Sequence, residues 1–118
     1  MKIMSFNCRG LAGPLKRPEL RRVVDLEHPD VMFLQETLGV GDVVKGKLES
    51  WFSGWQFETL DVRGHSGGLA MGWNTHVVKV LNTWGLDSVL GMTMQGLDQR
   101  APVDVINIYG PYKVFLQD

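Results

Sequence analysis

The stretch Pro29-Asp30-Val31-Met32-Phe33-Leu34-Gln35-Glu36-Thr37 decides the architecture. Its four consecutive apolar residues, Val31 to Leu34, do not alternate with polar ones. A short run that is apolar on both faces suits a central strand covered on both sides. Glu36 follows close behind it. A carboxylate at the end of a buried strand is costly unless it is paired, hydrogen-bonded or bound to a metal. Open α/β sheets also tend to place ligands at the carboxyl ends of their strands. Upstream, Leu20, Val23 and Val24 follow helical spacing and Pro18 suits a first turn, so a helix is expected over about 18–27. His28-Pro29-Asp30 closes it, because the residue before a proline is pushed out of the α region.

Further outward, residues 2–8 read as a short buried strand, and residues 9–14, with Gly10, Gly13 and Pro14, as a loop. A second helix is expected over about 42–53, capped by Asp42, with Val44, Leu48, Trp51 and Phe52 on one face. Residues 55–60 alternate as a half-buried strand does. A glycine-rich turn at 64–68 leads to a strand at 69–73 with small residues on one face and large ones on the other. Further strands are expected at 76–82, 88–95 and 103–109, the last two joined by a hairpin loop at 96–102. This order predicts an α/β chain (α+β mixed layers) with a largely antiparallel portion.

Composition narrows the field. Of 118 residues, 44% are hydrophobic and 21% charged, which fits one folded domain and argues against disorder. A formal net charge of -1 gives no global basic field for nucleic acid. Arg9, Lys16, Arg17, Arg21 and Arg22 do cluster near the start, as a solvated helix face or a phosphate-contacting patch. Cys8 is the one cysteine and lies in an apolar run, so a buried, unreactive thiol in a reducing compartment is expected. No 18-residue apolar stretch and no signal peptide are found, so nucleus or cytoplasm is the expected location, without a membrane partner.

Two residues stand where chemistry could occur. Asn7 ends the first strand as Glu36 ends the second. Parallel neighbours would bring both to one rim, where two hard oxygen donors suit Mg²⁺ better than a soft metal. The competing reading is that Asn7 makes turn hydrogen bonds while Glu36 caps a loop. His28, His65 and His76 read as exposed or packing residues. Gly64-His65-Ser66-Gly67-Gly68 lacks the lysine and following helix of a phosphate loop, and Ser66 has no evident base partner. Trp51, Trp55, Trp73 and Trp84 could stack on bases, although core or strand positions explain them more simply.

Four segments then resemble one family. Asn7-Cys8-Arg9-Gly10 is similar to the N-x-R-G that ends the first strand of endonuclease/exonuclease/phosphatase domains, and Pro29 to Thr37 to their P-D-hydrophobic-L-Q-E-T segment. Ser66-Gly67-Gly68-Leu69-Ala70-Met71 resembles their S-G-G strand, and Asn107-Ile108-Tyr109-Gly110-Pro111 their N-hydrophobic-Y-x-P strand end. The four occur in family order over nearly the whole chain. The wording of the last two is closest to plant non-LTR retrotransposon endonuclease domains.

The resemblance implies the N-terminal half of a four-layer αββα sandwich of the DNase I-like fold, with the C-terminal half absent. It implies Glu36 as a metal-binding glutamate, Asn7 as the asparagine that helps order that site, and Tyr109 as a catalytic tyrosine near the scissile phosphate. The cofactor it implies is Mg²⁺, with Mn²⁺ as the alternative ion, and the substrate of the complete domain is DNA. Some relatives carry an acidic residue where this chain has Arg9. The family's later G-D-x-N and S-D-H segments, which supply the base, do not occur.

The expectation is therefore a phosphodiesterase family member, inactive as this chain. The alternative is a non-catalytic retrotransposon-derived fragment or a half-domain interaction module. Half of the sandwich is expected to supply one sheet, leaving an inner apolar face that includes some of Leu69, Met71, Val105 and Ile106 without its partner. Poor stability, self-association through that face, or docking of the missing half would follow.

Overall fold

The computed structural model describes residues 1–61 and 67–108. The elements run β1 (Ile3–Asn7), α1 (Lys16–Glu27), β2 (Val31–Gln35), α2 (Gly41–Trp51), β3 (Trp55–Leu60), β4 (Leu69–Asn74), β5 (Val78–Leu86), β6 (Val89–Gly96) and β7 (Val103–Ile108). They form a four-stranded sheet in the order β1-β2-β4-β3 and a three-stranded sheet in the order β5-β6-β7. β1 and β2 are parallel, with Asn7 beside Gln35. The other described pairs are antiparallel.

The unbroken apolar run of β2 is explained by its position between β1 and β4. Its residues alternate between two cores. Met32 and Leu34 pack with Leu20 of α1 and with Val44 and Leu48 of α2. Val31, with Phe33, joins Leu69, Met71 and Trp73 of β4 and Leu90, Met92 and Met94 of β6. The described chain is thus three layers: helices, sheet, sheet. β4 shows the same division. Ala70 lies in the helix-side core, while Leu69, Met71 and Trp73 face the second sheet. Gly72 makes room for an aromatic ring, since a Cβ there would stand 2.2 Å from Cε2 of Phe57.

The two helices are joined by one cation. Arg21 of α1 donates from Nη1 to the carbonyl of Trp51 at the end of α2, and its guanidinium lies 5.9 Å from the Phe52 ring centroid. Positive charge at a helix carboxyl end is favourable, as is a cation over an aromatic face. Lys16 is also engaged, 3.7 Å from Glu19. Part of the basic cluster therefore serves the helix layer.

Several expectations are corrected. Asp42 does not cap α2: Val40 holds the cap position without a side-chain bond, and Asp42 lies in the first turn, where a carboxylate still favours the helix dipole. β5 runs on to Leu86 because a register shift between Val80 and Asn82 absorbs Leu81 and lets a hairpin with β6 continue. The largest correction concerns the inner face. Leu69 and Met71 are fully buried, because the chain supplies its own second sheet to cover them. Ile106 is exposed, but on the other side of that sheet: it pairs with Gly91, over which the Trp84 ring lies. The expected strand at 103–109 is seen to Ile108, and Tyr109 lies outside the described residues.

Candidate active-site rim

The parallel register delivers the ends of β1 and β2 to one rim, as expected from the sequence. The Cys8 amide donates to the Gln35 carbonyl at 2.8 Å, and the Gly10 amide to the Glu36 carbonyl at 2.7 Å. Beyond Glu36, the amides of Thr37 and Leu38 donate to the carbonyls of Gly68 and Gly67 at 3.2 and 3.0 Å. Glu36 is therefore held between the β1 end and the start of β4.

The backbone of this rim is unusual. Arg9, Glu36 and Leu38 have φ of 50°, 54° and 49°. A side-chain-bearing residue in the left-handed region is uncommon and costs about 1–2 kcal/mol. Such conformations persist where the surroundings over-determine them, and they cluster at functional sites. Gly68 completes the arrangement. Its φ is 107°, and a Cβ would meet Thr37 Oγ1 at 2.2 Å, so the second glycine of the S-G-G segment is required by a close approach.

Of the residues singled out in the sequence, Glu36 is half-buried and takes part in none of the ion pairs formed by described residues. Asn7 is exposed, and its Oδ1 accepts the Arg9 amide at 3.0 Å, so the turn bond of the competing reading does exist. A carbonyl oxygen has a second lone pair, and one such bond leaves an acceptor site for a cation. Asn7 shares a sheet face with its partner Gln35, and Glu36 follows one residue later, where its left-handed φ departs from the extended strand.

The donors present fit a hard divalent ion in type but not in number. Glu36 and Asn7 offer oxygen only, and Mg²⁺ takes six oxygens, many of them from water and phosphate. Among the described residues no group of three His, Cys, Asp or Glu is placed to hold a metal. Cys8 is not a candidate: burial pushes its thiol up to about 12, so it stays protonated and unreactive at neutral pH.

The other described candidates lie away from the rim. His28 is the exposed left-handed cap of α1, and the His76 amide donates to Asn74 Oδ1 in a turn. His65, Ser66 and Tyr109 lie outside the described residues. Trp73 is buried between the sheets, Trp51 and Trp55 pack on the helix-side core, and Trp84 lies on the outer face of the second sheet. Clefts such as the one lined by Met1, Asp30, Val77, Gly96 and Leu97 lie at the opposite, amino ends of β1 and β2.

One residue was missed. Asn107 is 1% exposed, and its Nδ2 donates to the carbonyls of Leu34 and Ala70 at 3.1 and 3.0 Å. Its Oδ1 accepts from Gln35 Nε2 at 2.9 Å, and Gln35 also reaches Ser5 Oγ at 3.0 Å. The available signal was periodicity: Asn107 shares the inward face of β7 with Val105, and a polar residue at a core position needs partners.

A helix-sheet-sheet chain of this topology, with the ends of β1 and β2 at one rim that carries Glu36, defines a part of the DNase I-like fold. The Endonuclease/Exonuclease/phosphatase family profile matches residues 4–113, and the chain belongs to that family. A functionally unknown conserved protein from Enterococcus faecalis is similar over 92% of this chain and 52% of its own, with 17% identity and a TM-score of 0.69. D. rerio TDP2 complexed with single strand DNA product is similar over 90% of this chain and 44% of its own, with 18% identity and a TM-score of 0.66. For the AP endonuclease LMAP from Leishmania major the corresponding values are 92%, 39%, 21% and 0.65. These identities establish shared fold, and the chain spans about half or less of each of these structures. No curated protein sequence matches the chain.

Proposed function

We propose that this chain carries the metal-binding half of a Mg²⁺-dependent phosphodiesterase acting on DNA, with Mn²⁺ as an alternative ion. The single observation that carries this reading is the left-handed Glu36, held between β1 and β4 at a rim shared with Asn7. That conformation places a half-buried carboxylate at strand ends at a cost in backbone energy, as strained residues at functional sites often do. Bound there, the cation would supply charge stabilisation at a phosphoryl oxygen. Glu36 would provide the anionic ligand and Asn7 a neutral one. Tyr109 follows β7 directly and is assigned to the scissile phosphate by resemblance. The DNA substrate is supported by family membership and by two similar structures, an AP endonuclease and a complex with single strand DNA product.

With two oxygen donors and no base segment, the chain on its own is expected to bind the ion weakly and leave DNA uncut. The non-catalytic reading draws on the same shortage of ligands. Manganese titration followed by electron paramagnetic resonance separates the two readings. Binding that is lost in Glu36→Gln supports the metal site. Equal signals from both proteins would remove it. In a longer chain that includes the G-D-x-N and S-D-H segments, plasmid nicking abolished by Glu36→Ala supports the enzyme reading, nicking that survives it removes Glu36 from the site, and no nicking by either protein supports the non-catalytic reading.

A further inference from the structure

We infer that Asn107 is a positioning residue for the proposed metal rim, acting through the backbone of β2 and β4 rather than by touching an ion. The inference rests on the proposed function for its purpose, though not for its geometry.

Asn107 belongs to the second sheet, while the groups that it grips belong to the first. Leu34 and Ala70 face each other across β2 and β4, and one amide nitrogen donates to both carbonyls. Leu34 lies two residues before Glu36. Ala70 lies two residues after Gly68, whose carbonyl receives the Thr37 amide. The clamp thus closes on both strands at the points where they leave the ladder to form the rim. Asn107 Oδ1 holds the Gln35 side chain, and Gln35 continues to Ser5 on β1. A single buried amide therefore spans β7, β4, β2 and, through Gln35, β1.

The residue type is specific to this task. Two carbonyls must be given protons and one side-chain amide must be accepted, at a residue only 1% exposed. Only a primary amide offers two donor hydrogens and an acceptor at that size. Aspartate has the acceptor but no donor, and leucine has neither. No buried side-chain polar atom among the described residues lacks a partner, so the network is complete and its parts depend on one another. A left-handed Glu36 is kept only while its neighbours are fixed. Asn107 fixes two of the strands from which it hangs.

The test compares wild type with Asn107→Leu, with Asn107→Asp, and with Val105→Ala as a control on the same strand. Amide hydrogen exchange is measured by NMR after matching global stability with denaturant. The inference expects exchange at Gly10, Thr37 and Leu38 to rise by about tenfold or more in both Asn107 variants but not in the control. It expects Mn²⁺ broadening at the rim to weaken in parallel. Rim amides that keep wild-type protection once stability is matched would overturn it. If Asn107→Leu does not fold, Gln35→Met cuts the link from β7 to β1 while leaving both carbonyl bonds, and it must loosen Gly10 or the inference fails. Wild-type protein whose rim shows no Mn²⁺ broadening would instead count against the metal reading, with the exchange comparison still deciding whether Asn107 sets the rim.

Discussion

At the scale of single residues, Glu36 carries opposing demands. Its φ of 54° is a poor conformation for a side chain and an easy one for glycine. Replacing it with glycine removes the left-handed penalty of about 1–2 kcal/mol, offset by the entropy of a glycine in the unfolded chain, roughly 0.5–1 kcal/mol. Glu36→Gly is therefore expected to raise stability by up to about 1.5 kcal/mol while abolishing Mn²⁺ binding. Urea unfolding checks the first part and spin resonance the second. A lower midpoint would mean that the carboxylate contributes to the fold, and would weaken the case for a functional strain. The sequence singled out Glu36 and Asn7 as candidates, from their places after two apolar runs. It offered the turn bond of Asn7 only as a competing reading and did not show the partners of Asn107, because both depend on where a side chain finds a partner.

At the scale of elements, β2 and β4 were the most legible. An unbroken apolar run and a small-large alternation each have one simple packing solution, and the structure shows both. The contact between Gly72 and the Phe57 ring gives this a measurable form. A Cβ 2.2 Å from a ring carbon forces the ring or the strand to shift. Gly72→Ala is expected to cost about 1–3 kcal/mol, read as a lower denaturant midpoint with an unchanged slope. An unaltered midpoint would show that the ring does not lie where the packing puts it. Helix α2 was less legible at its start, since Asp42 has the composition of a cap but lies inside the first turn. Strand β5 was cut short because the register shift at Leu81 breaks the alternation on which reading by period depends.

At the scale of the whole molecule, the helices cover one face of the first sheet, and the second sheet covers the other. Among the described residues the outer face of the second sheet has no such layer. Trp84, Leu86, Ile106 and Ile108 form adjacent apolar rows there, with Leu86 69% and Ile108 62% exposed. Apolar patches of this kind mark an interface or an association hazard. The self-association expected of the inner face is therefore tested at this one. Sedimentation velocity is expected to show concentration-dependent association that Leu86→Lys reduces, with stability changed by no more than about 0.5 kcal/mol. Wild-type protein that stays monomeric at high concentration would remove the patch as a self-association surface.

The amino-acid sequence alone determined the family, the alternation of helices and strands, and the places of Asn7 at the end of β1 and Glu36 just after β2. Those features follow from local polarity, from proline and glycine, and from short motifs read in order. Only the tertiary structure decided that both sheets lie within this chain, that Glu36 turns left-handed, and that one amide joins four strands. These are matters of contact between residues far apart along the chain, as Asn107 is from Leu34 and Ala70. The energy of a pairing between distant segments is set by three-dimensional packing, and no local period records it.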